Sequence, residues 1–252
     1  MDANFKFYSK YYDLLYRDKD YLAETNYVVS LIEQYRPQSK SIIELGSGTG
    51  KHADLLSAKG YQIVGLERSA EMVEIANRSK AAHVDFKVAD ITDFEIGQSF
   101  DIALSLFHVI SYLTKNQSLI NTFNNVHRHL NTGGLFIFDV WHSAAVHFQV
   151  PEKRTKTLRD ENISVTRHAD PVIYPELNIV EVNYDIVVEE LGTGQQTSIS
   201  EQHPMRHFSQ PELELLAYAT GFEIIHTEEF LSKASPSQNT WGVCYTWRKK
   251  IR

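Results

Sequence analysis

Residues 42–50 read Ile-Ile-Glu-Leu-Gly-Ser-Gly-Thr-Gly: a β-branched run passes straight into Gly46, Gly48 and Gly50, and a helix-like stretch follows. Glycine is needed where φ must be positive or where backbone must approach a ligand closely. The dinucleotide fingerprint is G-x-G-x-x-G. Here the third glycine comes one residue early and Lys51 takes the fingerprint position. Phosphate cradling is therefore disfavoured, and with it a dehydrogenase, and no Gly-Lys-Ser/Thr follows as a P-loop would need. Glu67 ends the next β run, about 20 residues past the first glycine, the position that suits a vicinal diol. Its carboxylate can accept from both hydroxyls of a ribose. Asp90 and Ile91 follow a third β run. An acid there can accept from an exocyclic adenine amine while Ile91 packs on the ring face; a helix cap or a turn is the plain alternative.

Further candidates sit beyond the next two β runs. His108 and Tyr112 follow the fourth, at the edge where open α/β sheets bind ligands, and are candidates to orient an acceptor or take its proton. Trp141 and His142 follow the fifth and could line an acceptor pocket. Arg206 would suit a phosphate or carboxylate on a substrate, with a surface ion pair as the alternative. His127 and His129 lie two apart on a helix, face different sides and read as solvated surface rather than a metal pair.

Several elements must position these groups. Residues 5–35 carry apolar and aromatic residues at three- and four-residue spacing, the pattern of a helix, stopped at Pro37. β runs at 41–45, 61–67, 84–88, 100–106 and 135–140 then alternate with helical segments at 51–59, 70–77 and 119–130. That alternation predicts a parallel sheet covered on both faces. After residue 140 the pattern turns to strands alone, at 155–168, 178–189 and 196–206, with Gly192 and Gly194 as a hairpin turn. Residues 141–206 thus read as an antiparallel insertion between the fifth strand and the last helix. Residues 1–140 and 207–252 form the core. The last helix opens at Ser209-Gln210-Pro211-Glu212, a capping box with an early proline, and stops at Gly221. Strands at 222–230 and 241–247 close the chain.

The chain has 252 residues, 42% hydrophobic and 23% charged, the balance of a folded globular protein. A net charge of -7 with no basic run argues against a nucleic-acid partner. No apolar run approaches a membrane span, and no signal-peptide layout is read at the N-terminus. The lone Cys244 precludes an intramolecular disulfide. The expectation is a cytoplasmic protein acting on a small molecule, without nucleic acid or membrane.

Residues 44–50, Glu67, Asp90-Ile91, 100–105 and 130–135 together resemble the ordered motifs of class I S-adenosylmethionine-dependent methyltransferases. The likeness runs over residues 40–140 and again over 209–248. It implies a Rossmann-like seven-stranded sheet with a reversed last strand. It implies that Gly46, Gly48 and Gly50 lie under the methionine moiety and ribose of S-adenosyl-L-methionine, with Glu44 and Ser47 in the same motif. Glu67, with Arg68 beside it, would hold the ribose diol, and Asp90 and Ile91 the adenine. Leu106 and Phe107 would lie near the transferable methyl, Leu106 on the cofactor side and Phe107 on the substrate side. A closer resemblance is to bacterial N,N-dimethyltransferases of nucleotide-linked amino sugars. It rests on residues 12–16 with Lys19-Asp20-Tyr21, on residues 105–113, and on the insertion. It adds Tyr12 and Tyr21 to the cofactor contacts. Their tryptophan pair after strand five is Val140-Trp141 here. The function implied is methyl transfer to an amine; a small-molecule O-methyltransferase or a non-catalytic cofactor-binding scaffold stays open. Ser105 after strand four, where metal-dependent examples place an acid, speaks against a metal, and the Asn/Asp-Pro-Pro-Tyr/Phe segment of nucleic-acid and protein-amide methyltransferases is missing. The insertion is read as an acceptor lid or a homodimer interface.

Overall fold

The computed structural model describes residues 14–78 and 80–250. Its centre is built from apolar strands. β1 (Ser41–Leu45), β2 (Gln62–Glu67), β3 (Val84–Val88), β4 (Phe100–Ser105) and β5 (Leu130–His142) are parallel. β10 (Phe222–Glu229) and β11 (Gly242–Lys249) complete the sheet, which runs β3-β2-β1-β4-β5-β11-β10 with β11 antiparallel to both neighbours. Period-two alternation sends Phe136 and Phe138 to one face and Leu135 and Ile137 to the other. Both faces must be covered, as expected for parallel strands. α4 (Asn116–His129) and α6 (Gln210–Thr220) cover the first, where Phe123 packs on Phe136, Phe138 and Trp247. α1 (Tyr21–Tyr35) and α2 (Lys51–Ala58) lie on the second, burying Val28, Leu31 and Leu56. α3 (Ala70–Arg78) packs against β2 and β3.

Four antiparallel strands follow β5: β6 (Arg154–Arg159), β7 (Ile163–Tyr174), β8 (Ile179–Glu190) and β9 (Gln196–Phe208). The end of β5 runs beyond the parallel sheet and pairs with β9 through Trp141–His207 and His142–Phe208. This register hangs the second sheet over the carboxyl edge of the first.

Five expectations change. The opening helix is broken within the described residues: a turn at 16–18 ends the first piece, and Asp20 caps α1 by accepting from Ala23 N at 2.8 Å. The run at 155–168 is two strands, because Asp160 accepts from Asn162 N and Ile163 N and turns the chain. A short helix, α5 (Ser143–Gln149), follows β5. Ser209 makes no side-chain cap, and Glu212 pairs with Arg206 instead of closing a box. His129 is buried rather than solvated, its Nδ1 2.8 Å from Asn125 O.

The amino edge of the sheet is fastened by Asp101. Its carboxylate accepts from Lys40 N, Ser41 N, Arg36 and Asn131. Burial works to raise its pKa, but these donors outweigh burial and hold it at about 2. The carboxylate therefore contributes stability above its ordinary value of 3.8, and that contribution is lost as pH falls through about 2. Asp101→Asn should cost about 2 kcal/mol at neutral pH. Urea unfolding at several pH values checks this; equal stabilities at pH 7 would refute it.

Candidate functional site

The glycine loop, Glu67, Asp90 and the 107–112 segment come to the carboxyl edge because β1 to β4 are parallel and end there together. The chain leaves β1 at Gly46, whose φ is 73°, and a Cβ on Gly46 would meet Val109 at 2.6 Å. Gly46 N and Ser47 N both donate to Leu66 O, at 2.8 and 3.0 Å, which bends the loop toward β2. Glu67 lies at that bend. Its Oε2 accepts from Gly48 N at 3.1 Å and its Oε1 from Ser69 N at 2.9 Å. One carboxylate thus joins the glycine loop to the start of α3.

Two recesses meet at Gly46 and Glu67. The first, about 360 Å³, has Gly46, Ser47, Gly48, Tyr21, His52 and Leu106 on one side. Phe107, His108, Tyr112 and Trp141 line another, and Val182, Tyr184, His203 and Met205 of the second sheet form its roof. The second, about 540 Å³, is lined by Arg68, Asp90, Ile91, Thr92 and Lys115 among others, and shares Val109 and Tyr112 with the first. Pockets in this size range hold small molecules.

The structure brings most of the sequence candidates to these recesses but not all. Gly50 lines neither; a Cβ there would meet the Phe86 ring at 2.5 Å, so this glycine lets α2 pack closely on β3. Gly65, not singled out from sequence, meets the same ring at 2.6 Å. Glu44 lies behind the loop, fully buried, and burial pushes its carboxyl up to about 8 against the pull of Lys19. His52, which does line the first recess, has Nδ1 3.8 Å from Glu44 Oε1 and Nε2 2.8 Å from Glu24. Asp90 lines the second recess, and its Oδ1 accepts from Thr92 N and Oγ1 in a turn. His142 lines neither recess; its backbone N donates to Trp241 O. Arg206 also lines neither, since Thr114 O, Asn116 and Glu212 take up its guanidinium and tie β9 to α4 and α6. Tyr12 lies outside the described residues.

Phe107 and His108 are consecutive non-glycine residues at positive φ, 67° and 61°. Such positions cost about 1–3 kcal/mol each and persist where the surroundings over-determine them. Asp139 supplies the restraint. Its Oδ1 accepts from His108 N at 3.2 Å, and its Oδ2 lies 2.7 Å from His108 Nδ1. Burial raises the Asp139 pKa, but His108 and, more weakly, Lys19 outweigh it, so this 1% exposed carboxylate stays ionised below the usual range. Lys19 Nζ sits 3.6 Å over the Phe107 ring and 3.1 Å from Glu24. Burial lowers the pKa of this lysine against the pull of Glu24.

Sequence reasoning missed Lys19 and Tyr184 as site residues, and the acid Glu201, 3.0 Å from His203. Only the alternation Glu201-x-His203 on one strand face signalled the last pair.

The residues fit S-adenosylmethionine. The bent loop leaves no room for a side chain at Gly46, the Glu67 carboxylate lies where the two recesses join, and an apolar Ile91 stands beside an acid in the second.

A methyltransferase-domain family matches residues 16–227. A dTDP-4-amino-2,3,4,6-tetradeoxy-D-glucose N,N-dimethyltransferase of Saccharopolyspora spinosa is 33% identical over 132 residues, 52% of this chain and 53% of that one. A dTDP-3-amino-3,4,6-trideoxy-alpha-D-glucopyranose N,N-dimethyltransferase of Streptomyces venezuelae is 26% identical over 86% of this chain and 90% of its own. An S-adenosylmethionine-dependent methyltransferase structure from Clostridium acetobutylicum superposes with a TM-score of 0.83 at 20% identity, covering 99% of this chain and 100% of that one. Among the described residues no helix is long and apolar enough to cross a membrane. The glycine loop, the Glu67 bend, the sheet order and the family match agree, and the chain belongs to the class I S-adenosylmethionine-dependent methyltransferases.

Proposed function

We propose that this enzyme methylates the amine of a nucleotide-linked amino sugar. The observation that carries the reading is the pair of polar groups facing the first recess: His108 held by Asp139, and Tyr112 held by His203. A primary amine has two N–H bonds and one lone pair. Two acceptors that take the N–H bonds leave the lone pair to point at the electrophile, and such alignment is a large part of the rate in a displacement. When bound, S-adenosylmethionine supplies a methyl group on a positively charged sulfur. Gly46, Gly48 and Glu67 would hold its methionine and ribose parts, and Asp90 and Ile91 its adenine. Phe107, Trp141 and Tyr184 present aromatic surface to the rest of the acceptor, which suits the C–H face of a sugar ring. The dTDP-amino-sugar relatives support the same class of acceptor. Among the described residues no group of three or more His, Cys, Asp or Glu is placed to hold a metal.

Incubation with S-adenosylmethionine and dTDP-3-amino or dTDP-4-amino deoxysugars, followed by mass spectrometry, tests the proposal. The expected products carry one and then two added methyl groups. No methylation of either dTDP-amino sugar would reject it.

A further inference from the structure

The insertion sheet brings a buried acid and a histidine to the acceptor recess. Tyr112 lies on the short 3-10 helix that follows β4, and its Oη is 2.8 Å from His203 Nδ1 on β9. His203 Nε2 is 3.0 Å from Glu201 Oε2, two residues back on the same face of the strand. Glu201 and His203 are 2% and 4% exposed, while Tyr112 lines both recesses. The other Glu201 carboxylate oxygen has no hydrogen-bond partner among the described residues. A buried carboxylate half satisfied in this way contributes little to stability, and it stands two residues from a histidine that faces the recess.

We propose that Glu201 and His203 are positioning residues of a proton relay that runs from the acceptor nitrogen through Tyr112 into the insertion sheet. The inference rests on the amine reading above. Once methylated, the amine is an ammonium and must lose one proton. Its N–H proton passes to Tyr112 Oη as the Tyr112 O–H proton passes to His203 Nδ1. Tyr112 ends neutral, as it began, and the new imidazolium is stabilised by the Glu201 carboxylate until, with the product gone, the proton returns through the exposed Tyr112 hydroxyl to water in the recess. The order of bonds demands one tautomer: Glu201 accepts from Nε2–H, which leaves Nδ1 to accept from Tyr112.

The surroundings agree with a relay rather than a free tyrosinate. Partial burial of Tyr112, itself 38% exposed, and then Tyr16, Tyr184 and Glu201 raise its pKa, with Arg68 working against them. Tyrosinate is thus disfavoured, and a path in which Tyr112 never carries net charge avoids it. Tyr184 closes the other side of His203, ring to ring at 5.0 Å, and Val182 and Met205 beside it are apolar. The same triad logic, an acid fixing the tautomer of a histidine that serves a hydroxyl, recurs on unrelated folds.

The test combines histidine spectroscopy with kinetics on the full chain. In 15N-histidine-labelled protein with S-adenosylhomocysteine added, wild-type His203 is expected to be neutral with its proton on Nε2. Glu201→Gln keeps the volume but can donate its amide to Nε2, and the proton should move to Nδ1. With a dTDP-amino sugar as acceptor, that variant should lose roughly 10- to 100-fold in kcat at unchanged KM. Its S-adenosylhomocysteine affinity, read by calorimetry, should equal wild type, which separates a lost relay from a damaged fold. Tyr112→Phe should show the same kcat loss while the proton stays on Nε2. A wild-type His203 protonated on Nδ1, or a Glu201→Gln protein with wild-type kcat, overturns the relay. Should neither dTDP-amino sugar be methylated by wild type, the amino-sugar reading fails while the histidine spectra, which need no acceptor, still decide the tautomer on which the relay depends.

Discussion

Glu67→Ala should weaken S-adenosylhomocysteine binding by roughly 3 kcal/mol, more than a hundredfold. Two effects add. Each hydrogen bond to a charged acceptor contributes about 1.5–3 kcal/mol, and a ribose diol offers two donors to one carboxylate. Glu67 also holds the loop it serves, since Gly48 N and Ser69 N both donate to it. Alanine therefore removes the diol acceptors and frees the loop and the start of α3, so the site binds less well before any ribose arrives. Glu67→Gln separates the two: its amide oxygen can keep one loop contact while the charge is gone, and the loss should be about half as large in kcal/mol. Calorimetric titration of wild type and both variants is the measurement. A Glu67→Ala protein that binds within a factor of three of wild type would remove the ribose from this edge of β2.

Asp139→Asn should lower kcat by roughly 10²- to 10³-fold and leave S-adenosylhomocysteine affinity nearly unchanged. Asp139 meets His108 twice, accepting from His108 N with one oxygen and lying 2.7 Å from His108 Nδ1 with the other. An asparagine has one acceptor and one donor group. Whichever way it turns, an NH2 replaces a carboxylate oxygen that faced a His108 nitrogen. If it faces the ring, the histidine takes the other tautomer and its recess-side nitrogen no longer accepts from an amine. If it faces the backbone, the strained Phe107–His108 turn loses its restraint. Methylation of a dTDP-amino sugar under saturating cofactor reads the loss. Wild-type kcat in this variant would show that His108 does not orient the acceptor. The same carboxylate has its pKa lowered in the fold, so its contribution to stability is present at neutral pH and is lost in acid, below the ordinary aspartate value.

The opening helix and the insertion show how reading by pattern succeeds and fails. Period-two and 3.6-residue patterns named the strands of the parallel sheet and most of their helices, because burial on both faces leaves long apolar runs that no turn interrupts. The break at Asp20 and the turn at Asp160 were missed for one reason: an aspartate side chain competes locally with the repeating backbone bonds, and periodicity does not register a single competing acceptor. Ser209 was the reverse case. The capping pattern was present, but Arg206 from the end of β9 claimed Glu212, a partner that exists only once the insertion has folded back.

For the site, the sequence by itself singled out the loop and the two acids after β2 and β3. Backbone that must bend at fixed points and carboxylates at strand ends are local properties written in residue type and spacing. Which glycine reaches the recesses was not local: Gly46 and Gly50 are alike in sequence, but Gly46 lines both recesses while Gly50 packs against Phe86. The pairings that could move a proton were decided by tertiary structure alone. His108 meets Asp139 because β4 and β5 are neighbours, 31 residues apart in the chain. Tyr112 meets His203, 91 residues away, because the end of β5 runs on to pair with β9 and hangs the second sheet over the carboxyl edge.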